Sequence, residues 1–249
     1  GKYVVTDVFP DDTGWEEYVK YIEQHIIEEV NAYLFANREQ YWRPHAYHTD
    51  PVSHFNVELH PRTLYFGLEL EHKGSTNLRK VSSELTKYAI VKCDDTVDLE
   101  LVTRPLTYTE WPTALDYLKE WITSSQGDEL TGMHLHVSRS AFSQEAIERF
   151  ITLWGCMVQD PRWYGVFGRA PNEYCPFVET EMVLAKGEKY AHVGTSHAET
   201  LEVRVFRHTN NPDTILKRIK LVYMTYKYCM RVDRVEYAHF SKWYRVVTK

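Results

Sequence analysis

The sequence predicts an α+β fold built on a mostly antiparallel sheet, and three observations lead there. Along the 249 residues, segments with a period of two intermingle with segments of helical period, without internal repeats or low-complexity linkers. The strand-like segments carry too many charged residues to be buried on both faces, as the strands of a parallel sheet are. With 43% apolar residues the chain can form a real core.

Residues 13–38 place Trp15, Tyr18, Val19, Ile22, Ile26, Val30, Tyr33 and Leu34 at helical spacing, so an amphipathic helix that serves packing opens the chain. The stretch 40–62, rich in His, Pro and Asn, has no period and reads as an irregular connection. Residues 1–62 thus read as an N-terminal helix and irregular extension of a single domain spanning 1–249. A strand follows at 63–71, then a helix near 77–87, a strand through Ala89–Lys92, a tight acidic turn and a strand at 98–104. Trp111, Leu115, Leu118 and Ile122 share one face of a helix over 109–123. After a strand at 132–138, Ser143 caps a helix running to about 157, because its hydroxyl can accept from the orphan amides of the first turn. Short, weakly patterned structure fills 160–190. Strands stand near 189–194 and 200–206, and Asn211 followed by Pro212 starts a helix that runs to about 230.

Composition narrows the function. The longest apolar run, around Leu153 to Val158, is far short of a membrane span, and the start GKYVVTDVFPDD lacks the basic-then-apolar layout of a signal peptide, so a cytoplasmic protein without a membrane partner is expected. Cys93, Cys156, Cys175 and Cys229 lie far apart with no C-x-x-C spacing and read as reduced, structural residues; Cys93 is expected to be buried as a small hydrophobe. A formal charge of −6 disfavours nucleic acid as the main partner.

The strands carry the chemistry. Glu69 and Glu71, Asp98 and Glu100, His134 and His136, and Glu202 and Arg204 are i, i+2 pairs with Leu70, Leu99, Leu135 and Val203 between them, so each pair shares a face. Taken singly, the two histidines would be a surface hydrogen-bonding pair, and Glu202 with Arg204 an exposed charge pair. Four such strands with almost no Lys, Ser or Thr are not an ordinary solvent face. If they converge, crowded carboxylates need compensation, which a bound cation supplies. Carboxylates with one imidazole suit Mg²⁺ or Mn²⁺, and Arg204 on the same face suggests a nucleotide phosphate opposite the metal. Phosphoryl transfer is the implied chemistry.

Read in order, FGLELEH, VKCDDTVDLELVTRPL, TGMHLHVSRSAF, VFGRAPNEYC, KYAHV and TLEVRVFRHTNNPDT resemble the amidoligases of the carboxylate–amine ligase group, relatives of glutamine synthetase and glutamate–cysteine ligase. The resemblance implies a glutamine-synthetase-like catalytic fold, a curved, mostly antiparallel sheet flanked by helices and shaped as a funnel. ATP would enter one end and a small-molecule or peptide carboxylate and amine the other, with Mg²⁺ or Mn²⁺ between. By the same resemblance Glu69, Glu71, Asp94, Glu100, His134 and Glu202 are the metal ligands. His136, Ser138, Arg169 and Arg204 face the nucleotide, and Glu69, Glu100 and Arg204 carry catalytic roles. Asp95 and Thr96 stand where the family has Gly-Ser, and the interval to Glu100 is shortened, which leaves Asp95 or Asp98 as alternatives to Asp94. The implied reaction passes the γ-phosphoryl group of ATP to a carboxylate, and an amine then attacks the acyl phosphate. Two other readings stand beside it. One is a single-strand DNA nuclease of the His-hydrophobic-His type, using His134, His136 and Tyr223 or Tyr226; the other is a catalytically inactive binding relative.

Overall fold

The computed structural model describes residues 24–30, 32, 33 and 43–247. The chain divides into two compact units, Gly1–Arg43 and Pro44–Lys249. In the first, residues 24–30, 32 and 33 are helical, as expected of them. The rest of the helix expected over 13–38, with Trp15, Tyr18, Val19, Ile22 and Leu34, lies outside the described residues.

The second unit carries one open sheet of seven strands among the described residues: β1 (Tyr65–His72), β2 (Ala89–Lys92), β3 (Leu99–Thr103), β4 (Leu106–Thr107), β5 (Gly132–Ser138), β6 (Val193–Gly194) and β7 (Thr200–Arg207). Their spatial order is β2-β3-β1-β5-β7-β6, with β4 paired to β1, and every strand pairing is antiparallel. An isolated parallel bridge joins His45 to Lys92. His45 N donates to Val91 O (2.8 Å) and Cys93 N to His45 O (2.9 Å), so the segment before β1 covers the open edge of β2.

Strand β1 sets the logic of the sheet. Phe66, Leu68, Leu70 and His72 are buried and alternate with the partly exposed Tyr65, Gly67, Glu69 and Glu71. The buried set faces helices α3 (Trp111–Ser124), α4 (Gln144–Val158) and α7 (Pro212–Cys229). Trp121 of α3 meets His72 edge-on, Trp154 of α4 meets Phe206 of β7, and Tyr223 of α7 meets Phe66. One face of the sheet is thereby sealed, and the other is left for the polar side chains. The helices start where the sequence predicts. Ser143 Oγ accepts from Ala146 N (3.3 Å), and Asn211 Oδ1 accepts from Asp213 N (2.9 Å) and Thr214 N (3.3 Å), caps worth about 1 kcal/mol each.

The other helices are α1 (Pro51–His54), capped by Asp50, α2 (Arg79–Ser82), α5 (Tyr164–Phe167), α6 (Thr180–Lys186) and α8 (Tyr237–Val247). Two expectations shrink. The helix predicted near 77–87 is the single turn α2, because Leu78 offers no side-chain cap and the Ser83 hydroxyl turns back onto Lys80 O (2.6 Å). The strand predicted near 189–194 is only the two-residue β6. Helix α8 was not predicted, although Tyr237, Phe240, Ser241 and Tyr244 have helical spacing; Phe240 packs on Tyr228 and Trp163. No helix among the described residues is long and apolar enough to cross a membrane.

His192, next to β6, is fully buried, with Nε2 3.1 Å from Ile151 O. Burial lowers its pKa below the ordinary value of about 6.5, outweighing its backbone hydrogen bonds. The folded state therefore binds its proton less readily than the unfolded chain. The stability that His192 contributes is complete above about pH 6.5 and is lost as the pH falls toward its folded pKa. Melting temperature measured from pH 6.5 to 5 is expected to fall less steeply in His192→Gln than in the wild type, and equal slopes would show that this histidine is not a source of acid sensitivity.

Candidate metal centre

Strand register gathers the polar pairs. Glu69 lies opposite His134 of β5 on one side and Val102 of β3 on the other, Glu71 opposite Glu100, and His136 opposite Glu202 of β7. Because β3, β1, β5 and β7 are consecutive neighbours, Glu69, Glu71, Glu100, His134, His136 and Glu202 line one cavity of about 1070 Å³ over the face away from α3, α4 and α7. Within it, His136 Nε2 is 3.3 Å from Glu69 Oε1, and His134 Nδ1 is 3.5 Å from Glu69 Oε2 and 3.4 Å from Glu202 Oε1. Glu71 Oε2 accepts from Gly132 N, while its other oxygen is 3.8 Å from His134 Nε2. A Cβ on Gly132 would stand 2.6 Å from His134 Nε2, so any larger residue there would displace that ring.

Arg204 lines the cavity two residues on from Glu202, beside an irregularity of the sheet. Between Met133 and Leu135 the β5–β7 register shifts, so Arg204 and Val205 together oppose His134. This β-bulge turns Phe206 into the core. The Arg204 guanidinium pairs with Glu202 Oε1, donates to Tyr174 O (3.4 Å) and lies 5.5 Å from the Tyr190 ring centre.

The charges are strongly coupled. Burial opposes ionisation of Glu69, but His136 and His134 outweigh it and hold this carboxyl well below the usual carboxylate range. Burial also works against His136, yet the Glu69, Glu202 and Glu100 carboxylates push it up to about 9. Burial and then the Glu69 charge push Glu100 up to about 9, and Lys92, with Nζ 3.7 Å from Glu100 Oε2, does not offset them. The cluster thus relieves its crowding by keeping protons on Glu100 and His136, and a divalent cation is the other way to balance it.

The donor set fits such an ion. Ligand atoms of Glu69, His136 and Glu202 all lie within 4.8 Å of one another. Glu202 Oε2 is buried without a hydrogen-bond partner among the described residues, as an atom able to take a ligand is, while His136 Nε2 faces only carboxylates, with Glu69 Oε1 at 3.3 Å. His136, which the resemblance gives to the nucleotide, is the imidazole of this triad.

The remaining predicted residues divide. Asp94 lines the cavity and accepts from Thr96 N (2.7 Å), whereas Asp98 accepts from Gly74 N (2.9 Å) and does not line it. Ser138 also lines the cavity, but its hydroxyl accepts from Tyr65 N (2.9 Å) and donates to Thr63 O (3.0 Å), pinning the entry to β1. Arg169 borders the cavity with its guanidinium engaged by Arg204 O (2.7 Å) and, at longer range, Val205 O and Leu130 O. Cys93, expected to be buried, is exposed, because it lies just past the end of β2. Tyr223 stacks on Tyr108 and meets Phe66 edge-on, the Tyr226 hydroxyl donates to Ala141 O (3.2 Å), and neither lines the cavity. Sequence reasoning missed Lys92 and His197; the former could have been found from its period-two spacing with Ile90 on β2, the latter from no local pattern.

No protein-family model matches the chain, and no curated protein matches it. The chemistry of the site rests on its own side chains.

Proposed function

We propose that the protein is an ATP- and Mg²⁺- or Mn²⁺-dependent carboxylate–amine ligase of glutamine-synthetase-like fold, forming an amide or peptide bond through an acyl phosphate. One observation carries this: four adjacent strands direct Glu69, Glu71, Glu100, His134, His136 and Glu202 into a single cavity, with Arg204 beside them. Glu69, His136 and Glu202 would hold the cation, with His134 and Glu71 supporting them. A bound divalent ion neutralises the charge that spreads over a transferred phosphoryl group. Arg204 grips that group, since its planar fork can span two phosphoryl oxygens. The Asp94 carboxylate on the cavity wall draws in the ammonium form of the amine. The nuclease reading relied on Tyr223 or Tyr226, and neither lines the cavity.

The test is ADP release with Mg²⁺ or Mn²⁺ across pairs of carboxylates and amines. Release is expected to rise only when a suitable pair is present, and Arg204→Lys is expected to lower turnover about 10²-fold, because an ammonium cannot replace the fork. Full turnover in Arg204→Lys, or a covalent adduct with single-stranded DNA that is lost in Tyr226→Phe, would overturn the proposal.

A further inference from the structure

The floor of the cavity is charged, whereas its rim beside Arg204 is largely apolar. Leu130, Tyr174 and Tyr190 line the cavity and are 50%, 39% and 50% exposed. Large apolar side chains left open to solvent on a cavity wall mark a surface that a ligand covers. All three are tied to Arg204. Its Nε donates to Tyr174 O (3.4 Å), and its guanidinium lies 5.5 Å from the Tyr190 ring centre. Its carbonyl accepts from Arg169 Nη2 (2.7 Å), and Arg169 Nη1 is 3.5 Å from Leu130 O. A group held on Arg204 therefore has these three residues as neighbours.

The charges of this wall are largely engaged within the protein. The Arg169 guanidinium is spent on backbone carbonyls, and Lys73 Nζ pairs with Asp128 Oδ2 at 3.2 Å. Asp128 Oδ1 also accepts from Leu130 N (2.9 Å) and Thr131 N (3.0 Å), which fixes the turn that presents Leu130. Asp94, which draws in the amine, stands between β2 and β3, and β3, β1 and β5 separate β2 from β7. The carboxyl that takes the phosphoryl group sits beside Arg204 and the amine comes from the Asp94 side. The remainder of the acid is then what meets the rim.

We propose that Leu130, Tyr174 and Tyr190 bind an aliphatic or aromatic substituent of the acid substrate, so that the acid is apolar, as an N-acylated leucine or phenylalanine is, and not a small polar one. The inference rests on the ligase reading and names the acid of the same site. The experiment measures, by calorimetry on the whole chain with and without Mg²⁺ and the β,γ-imido analogue of ATP, the affinity for N-acetylleucine, N-acetylphenylalanine, N-acetylglycine and N-acetylglutamate. The wild type is expected to hold the first two about 10–100-fold more tightly than the others, the gain that burying a Leu or Phe side chain gives. Tyr174→Ser and Leu130→Ser should each lose about 5–10-fold for the apolar pair and nothing for N-acetylglycine, since both side chains are exposed and their carbonyls stay in place. Tyr174→Phe keeps the ring and should keep wild-type affinities. The ATP analogue should bind all these variants equally. No preference for apolar acids in the wild type, equal losses for N-acetylglycine in the variants, or a loss confined to the ATP analogue, which would put the nucleobase on the rim, overturns the inference. ADP release as efficient with N-acetylglutamate as with N-acetylleucine overturns it and leaves the ligase reading standing. A preference that depends on Tyr174 and Leu130, with no ADP release for any substrate pair, supports the apolar-acid site and overturns the ligase reading alone.

Discussion

Glu69→Gln is expected to lower metal-dependent ADP formation by about 10³-fold while leaving the fold intact. Glu69 is the hinge of the site's electrostatics, since one oxygen faces His136 Nε2 at 3.3 Å and the other His134 Nδ1 at 3.5 Å. The amide keeps the size of the carboxylate but removes the charge that orients both imidazoles and helps to hold a cation. A second readout follows from linkage. At about tenfold over its dissociation constant, a metal–nucleotide complex that binds only the folded state adds roughly 1.4 kcal/mol, a rise of about 3–5 °C for a chain of this length. That rise should appear with the wild type only when metal and ATP are both present, and should be absent in Glu69→Gln. ADP release within a few-fold of wild type, or an undiminished thermal response, would exclude Glu69 from the centre.

Arg218→Met is expected to destabilise the protein by on the order of 3 kcal/mol, a fall of about 6–12 °C in melting temperature. Arg218 is 4% exposed on α7, and its guanidinium donates to Val166 O (3.2 Å), Phe167 O (2.9 Å) and Arg207 O (2.6 Å), 5.2 Å from the Phe206 ring centre. Burial, then the neighbouring Arg169, brings its pKa down to about 10, so it remains charged at neutral pH. Methionine would fill much of the space but leave those carbonyls without their donor. The same residue closes the turn that delivers Arg169 to the cavity. Gly168 there has φ +82°, and a Cβ on it would stand 2.9 Å from Arg218 Nη2. Denaturant unfolding should show a lower midpoint at unchanged slope, and a loss below about 1 kcal/mol would mean that those carbonyls find other donors.

Much of this molecule is local information, and local information is legible in a sequence. The alternation in YFGLELEH became the alternating burial of β1, because successive side chains of any strand point to opposite faces. Ser143 and Asn211–Pro212 open α4 and α7 as read, since a cap acts on amides only two or three residues away. The period-two pairs marked Glu69, Glu71, Glu100, His134, His136, Glu202 and Arg204 as sharing faces within their own strands. Only the tertiary structure decided that those faces are one face. That required β1 to lie between β3 and β5 with Glu69 opposite His134, a register set by contacts between residues tens of positions apart. The bulge that brings Arg204 and Val205 opposite His134 depends on the partner strand, and no pattern within β7 announces it. His197 joins the cavity because its loop leaves the two-residue β6 and returns as β7 beside Glu202, and a position set by chain reversal has no period to read. The sequence by itself determined which polar side chains share a face within each strand; strand order and register decided that those faces meet, and a loop decided which further imidazole stands beside them.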